Sequence, residues 1–140
     1  MTLRPFHLAF PVKDLPTTQQ FYETVLGCQL GRYSNTWLDF DFFGHQLTAH
    51  LKPDQCQSPD TNAVDGYAVP VRHWGIILTM PQWQSLAERL QKQQIPFVIE
   101  PYIRFKGEPG EQATMFFLDP SGNALEFKAF ANDTSIFATQ

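Results

Sequence analysis

Residues 5–12 read as a strand, with His7, Ala9 and Pro11 on one side and Leu8 and Phe10, larger and wholly apolar, on the other. That is the period of a strand with one buried face. Lys13-Asp14-Leu15-Pro16 reads as a turn, and Thr17 and Thr18 offer helix caps. From 18 to 26, Phe21, Tyr22, Val25 and Leu26 recur at helical spacing, and Gly27 stands where a left-handed C-terminal residue is expected. Residues 28–33, 36–42 and 46–51 then predict three short strands, joined by turns at Ser34-Asn35 and Phe43-Gly44-His45.

Residues 53–69 break the pattern: Pro, Gly and polar residues follow one another without an apolar period, which predicts an exposed connector. After it the order of elements returns. A strand is expected over 71–80, starting near His73, and a helix over 81–94 with Trp83, Leu86, Leu90 and Gln94 on one stripe. Strands follow at 97–100, 114–118 and 123–130, the last two joined by the turn Asp119-Pro120-Ser121-Gly122. The tail from 132 to 140 carries no periodic signal. Strand–helix–strand–strand–strand is thus written twice in one domain spanning 1–140: module one about 4–52, a connector about 53–69, and module two about 70–131. The class is α+β, with largely antiparallel sheets expected from the short hairpin-linked strands.

Composition narrows the function. Hydrophobic residues make up 43% of the 140 residues, including thirteen Phe, enough for a substantial core. A net charge of −4 with 17% charged residues gives no footprint for nucleic acid. No apolar run approaches the roughly 20 residues of a membrane span, and the N-terminal residues lack a signal-peptide pattern. Two cysteines without CxxC spacing fit a cytoplasmic protein with reduced thiols.

His7 and His73 hold matching places, each near the start of the first strand of its module. Glu126 lies in the final strand between Leu125 and Phe127, so it projects to the face opposite those two. By the same alternation His7 points away from Leu8 and His73 from Trp74. A lone strand His is ordinarily a polar surface residue. Equivalent placement in two modules, with a carboxylate in the last strand, favours a shared divalent metal instead. Two imidazoles and one carboxylate suit Fe(II), Mn(II), Ni(II) or Zn(II) with positions left for substrate. His50 shares a face with Gln46 and Thr48 and stands open between a fourth ligand, a proton-transfer group and a rim residue. His45, in a turn, is read as solvated. In the segment 100–112, Arg104 is placed to clamp a carboxylate or phenolate and Tyr102 to donate a proton, with Gly107-Glu-Pro-Gly110 as a lid.

The motifs Phe6-His7-Leu-Ala-Phe-Pro-Val-Lys-Asp-Leu15, Phe21-Tyr-Glu-Thr-Val-Leu-Gly27, His73-Trp-Gly-Ile-Ile-Leu78 and Phe116-Phe-Leu-Asp-Pro-Ser-Gly-Asn-Ala-Leu-Glu-Phe127 resemble the vicinal-oxygen-chelate superfamily. That superfamily includes glyoxalase I, extradiol dioxygenases, fosfomycin-resistance enzymes and bleomycin-binding proteins. The resemblance covers about residues 5–130. It implies two βαβββ modules forming an open, curled mixed sheet around a central metal cavity, and His7, His73 and Glu126 as ligands. In glyoxalase I a further ligand, often Glu, comes from the last strand of module one, where this chain has His50. The expectation is therefore an extradiol-type ring-cleaving dioxygenase on one divalent metal, Fe(II) before Mn(II), Ni(II) or Zn(II). Its substrate would be a small, oxygen-chelating and aromatic molecule, with His50, Tyr102 and Arg104 as catalytic groups. A glyoxalase-like isomerase or lyase, or a drug-sequestering binder, are the alternatives. A homodimer is implied.

Overall fold

In the computed structural model, residues 2–56 and 61–139 are described. The chain divides into two units, Met1–Ser58 with Asp119–Asn123, and Pro59–Leu118 with Ala124–Gln140.

The first unit contains β1 (His7–Val12), α1 (Leu15–Gln20) running into a π-helical turn (Phe21–Val25), β2 (Gln29–Tyr33), β3 (Trp37–Phe42) and β4 (His45–Leu51). Asp14, not Thr17 or Thr18, caps α1: its carboxylate accepts from the Thr17 amide at 2.8 Å and the Thr17 hydroxyl at 2.6 Å. These bonds hold the Asp14 pKa below the usual carboxylate value. The sheet order is β1-β4-β3-β2, with β1 parallel to β4 and the other ladders antiparallel. Phe10, Val12, Leu38, Phe40, Phe42, Leu47 and Ala49 are buried beside Phe21, Tyr22, Val25 and Leu26 of the helical segment. Tyr22 is central to this core, stacked on Phe40 at 5.1 Å between ring centroids and 5.8 Å from Phe10.

The turn Asp119–Asn123 is built into the same unit. Asp119 is buried, and its carboxylate accepts from the amides of Ser121 and Asn123, the Asn123 side chain and the Tyr22 hydroxyl at 2.9–3.0 Å. Asn123 also donates to the Pro11 carbonyl, and Ser121 accepts from the Lys13 amide. Burial raises the Asp119 pKa despite these donors. Burial, with the neighbouring Asp119 charge, pushes the Tyr22 phenol well above its usual range.

The second unit contains β5 (Thr61–Val64), β6 (Tyr67–Pro70), β7 (His73–Trp74), α2 (Met80–Lys92), β8 (Phe97–Arg104), β9 (Gln112–Leu118) and β10 (Ala124–Phe130). Its four-stranded sheet has the order β7-β10-β9-β8, again with the first strand of the module parallel to the last. Both sheets are largely antiparallel, as expected, and each is made mixed by one parallel ladder, because in each module the last strand returns to pair beside the first. α2 starts at a Thr79–Gln82 capping box and buries Trp83, Leu86, Ala87 and Leu90. The Trp83 indole donates to the Phe127 carbonyl at 2.9 Å. Gln94 does not continue the helical stripe: it takes the left-handed conformation, at φ 57°, just beyond the helix end.

Three expectations need correction. Residues 61–64 and 67–70, expected within an exposed connector, form a paired hairpin; residues 57–60 of that stretch lie outside the described residues. The strand expected over 71–80 is only two residues long, with an isolated bridge at Ile77. Strand β8, expected over 97–100, runs on through Arg104, so Tyr102 and Arg104 sit on a strand. The loop beyond it is internally bonded, Gly107 N–H to the Glu111 carboxylate at 2.7 Å, and tied to Ala131 through the Glu111 carbonyl at 2.9 Å.

Candidate metal centre

Along β10 the alternation expected from sequence is realised. Leu125, Phe127 and Ala129 are buried, and Glu126 and Lys128 project to the opposite face. β7 lies beside it with His73 in register with Ala124, which brings the His73 ring over the Glu126 side chain. Gly75 makes the approach of these strands workable, since a Cβ there would stand 1.5 Å from the Glu126 carbonyl oxygen.

The hydrogen bonds around this pair set its chemistry. His73 Nδ1 lies 2.8 Å from the Pro70 carbonyl, which can only accept, so Nδ1 carries a hydrogen and Nε2 is the nitrogen turned toward the carboxylate. Nε2 lies 3.3 Å from Glu126 Oε1. The other carboxylate oxygen, Oε2, accepts from the Thr114 hydroxyl at 2.5 Å. The edge of Phe116 packs on the imidazole at 4.7 Å between centroids. Side-chain exposure is 31% for His73 and 12% for Glu126. An imidazole nitrogen facing a carboxylate oxygen suits a cation at that place, either a proton on Nε2 or a metal ion.

A metal fits. Bonds of about 2.0–2.2 Å to nitrogen and oxygen place adjacent ligand atoms about 3.0 Å apart at right angles and about 3.4 Å apart at the tetrahedral angle. The observed 3.3 Å falls between these values. Each ligand is also oriented from behind, the imidazole by a carbonyl and the carboxylate by a hydroxyl, as metal ligands commonly are. Among the described residues no group of three His, Cys, Asp or Glu side chains stands together as a complete ligand set.

His7, in the first unit, has the same kind of support. Its Nδ1 lies 2.9 Å from Gln46 Oε1, on the neighbouring strand in register, leaving Nε2 outward. His7 and His50 are exposed on the polar face of this sheet, which also carries Gln46 and the Thr48–Asp39 hydrogen bond of 2.6 Å. His45 is not merely solvated: its Nδ1 accepts the Phe6 amide at 2.7 Å and anchors the start of β1.

Tyr102 and Arg104 are already engaged. The Tyr102 hydroxyl donates to Asp65 Oδ2, and Arg104 Nε donates to the same oxygen at 2.8 Å. The second guanidinium nitrogen reaches Oδ1 at 3.4 Å. Asp65 sits at the tip of the β5–β6 hairpin, and its pKa is lowered by the Tyr102 and Arg104 hydrogen bonds. The Tyr102 phenol is pushed up to about 12, by burial first and then by Asp65. Sequence reasoning missed Asp65, Thr114, Gln46 and Gly75. The Asp65-Gly66 pair flanked by Val64 and Tyr67 was a legible hairpin signal. Nothing in the sequence pointed to Thr114 or Gln46, whose roles depend on strand register.

Paired βαβββ units with mixed sheets and an oriented histidine–carboxylate pair define an α+β protein with a candidate divalent-metal centre. The chain belongs to the Glyoxalase/Bleomycin resistance protein/Dioxygenase superfamily, whose family model matches residues 4–127. It is similar to a glyoxalase/bleomycin resistance protein/dioxygenase from Alicyclobacillus acidocaldarius, with 36% identity over 95% of this chain and 96% of that one, at a TM-score of 0.76. The fold is shared with the fosfomycin resistance protein FosX from Listeria monocytogenes, at 16% identity, covering 97% and 100% of the two chains, TM-score 0.69. It is shared also with a lactoylglutathione lyase from Agrobacterium tumefaciens, at 17% identity, covering 91% and 94%, TM-score 0.64. No curated protein matches the chain significantly. No helix among the described residues is long and apolar enough to cross a membrane.

Proposed function

We propose that the chain is a metal-dependent enzyme acting on a small oxygen-chelating substrate, with His7, His73 and Glu126 as ligands. The observation that carries this reading is the His73 Nε2 to Glu126 Oε1 approach of 3.3 Å, with both outer atoms tied down. His7 is the third donor in this proposal. Its Nδ1 is held by Gln46 as that of His73 is held by Pro70.

Two neutral imidazoles and one carboxylate form the donor set of non-haem Fe(II) oxygenases, so the reaction class proposed is extradiol ring cleavage of a dihydroxylated aromatic by dioxygen. When bound, the metal supplies Lewis acidity toward two neighbouring substrate oxygens. The protein's own residues do the rest. Pro70 and Thr114 fix the ligand orientations before substrate arrives, and Phe116 keeps water from one side of the imidazole. His50, on the face that carries His7, accepts and returns the substrate proton.

The test is oxygen uptake after anaerobic loading with Fe(II), across a panel of substituted catechols. Uptake with at least one catechol, abolished in Glu126→Ala, is expected. Full metal occupancy with no uptake across the panel would remove the dioxygenase reading and leave lyase or isomerase chemistry on the same ligands. A protein that takes up no metal yet binds the catechols would favour sequestration.

A further inference from the structure

We propose that Tyr102 and Arg104 form a carboxylate-binding subsite that Asp65 occupies in the resting protein and that a carboxylate of the substrate takes over. This rests on the reading of the His73–Glu126 face as the active face, and it adds the substrate's class: an organic acid.

Asp65 is offered by a two-residue turn in which both Asp65 (φ 49°) and Gly66 (φ 84°) are left-handed. The arms of this hairpin pack inward. Val69 is buried against Ile99 and Phe116, with Val64, Val98 and Tyr102 around them. Phe116 is the residue whose ring meets His73, so the hairpin covers the face of the second sheet on which the metal pair stands. The strand register gives the spacing. Tyr102 lies opposite Thr114 on β9, and Thr114 bonds Glu126 on β10. Two strand spacings, about 10 Å, therefore separate the subsite's strand from that of the carboxylate ligand.

The contacts at Asp65 describe what the subsite accepts. One carboxylate oxygen receives both the phenol and Arg104 Nε, and the other faces the second guanidinium nitrogen. That is a side-on fork for a planar carboxylate, with the guanidinium also seated over the Phe105 ring at 4.7 Å. The pair is open to exchange: side-chain exposure is 39% for Asp65 and 22% for Arg104. Exposed ion pairs of this kind contribute little net stability, so a ligand carboxylate competes on nearly equal terms. The high phenol pKa, about 12, keeps Tyr102 a donor throughout the neutral range.

The experiment uses chelator-treated, metal-free protein, so its result is independent of whether a metal binds. Benzoate binding is measured by calorimetry in wild type, Asp65→Asn, and Asp65→Asn combined with Arg104→Gln. Wild type should bind weakly, Asp65→Asn at least tenfold more tightly, and the double variant should lose that gain. Equal affinity in wild type and Asp65→Asn, or a gain that survives Arg104→Gln, overturns the proposal. Methylphosphonate binding as tight as benzoate in Asp65→Asn overturns the assignment to planar carboxylates. A second readout needs no variant. Saturating benzoate should speed amide hydrogen exchange across residues 62–70 of the wild-type protein as the hairpin is released, and unchanged exchange there also overturns the proposal.

Discussion

A single hydroxyl decides which oxygen of Glu126 faces His73. Thr114 holds Oε2, leaving Oε1 beside His73 Nε2. Thr114→Val keeps the shape and removes the donor. It should weaken divalent-metal binding by about 10–100-fold, the usual cost of deleting such a supporting contact; competition with a chromophoric chelator measures it. Asp65 acts in the same way on a different group. Removing its charge in Asp65→Asn should let the Tyr102 phenol ionise below its present value of about 12, because one of the causes of the rise is gone. The near-ultraviolet phenolate absorbance during alkaline titration reads this out against Tyr102→Phe. At this scale the sequence was half legible. Which way His7, His73 and Glu126 turn could be read from strand parity, since alternation around Leu8, Trp74 and Phe127 fixes the face of each side chain. Their supports, Gln46, Pro70 and Thr114, could not, because each is a neighbour across a ladder whose register the chain does not spell out.

Elements meet closely at two places that carry predictions. β7 approaches β10 without room for a side chain at Gly75, so Gly75→Ala must push the strands apart or strain them. A destabilisation of about 1–3 kcal/mol is expected from overpacking, read by chemical denaturation, together with loss of the His73–Glu126 approach. In the first unit the Asp119 turn is locked to Tyr22. Tyr22→Phe takes away one of the four donors to that carboxylate, at a cost of about 1.5–3 kcal/mol, the usual worth of a hydrogen bond to a charged group. The pH dependence follows from the direction of the Tyr22 shift. Its folded pKa is raised above the unfolded value, so folding gains from the protonated phenol below about pH 10 and loses that gain as pH rises toward the folded value. Wild-type stability should therefore fall above that pH more steeply than that of Tyr22→Phe, measured by denaturation at a series of alkaline pH values. Element existence was well marked by periodicity, as in the Trp83, Leu86, Leu90 stripe of α2. What escaped was local. The Asp65-Gly66 turn was passed over within a polar stretch, and the strand at His73 was shorter than its apolar neighbours implied because its pairing with β10 stops after Trp74 and resumes only at the Ile77–Lys128 bridge.

For the molecule as a whole, the repeated order of elements was readable from hydrophobic pattern, and the family match over residues 4–127 agrees with it. The parallel pairing of first with last strand in each sheet was not, since period-two alternation is the same for either direction. Nor does a pattern of residues reveal chemistry beyond a donor set, which is why the central claim is about ligands. Titration of metal-free protein with Co(II), followed by visible absorbance, tests that claim most directly. One ion per chain is expected, with affinity falling at least a hundredfold in each of His7→Ala, His73→Ala and Glu126→Ala while all three variants keep the wild-type far-ultraviolet circular dichroism. Affinity and spectrum unchanged in folded His73→Ala and Glu126→Ala would contradict it.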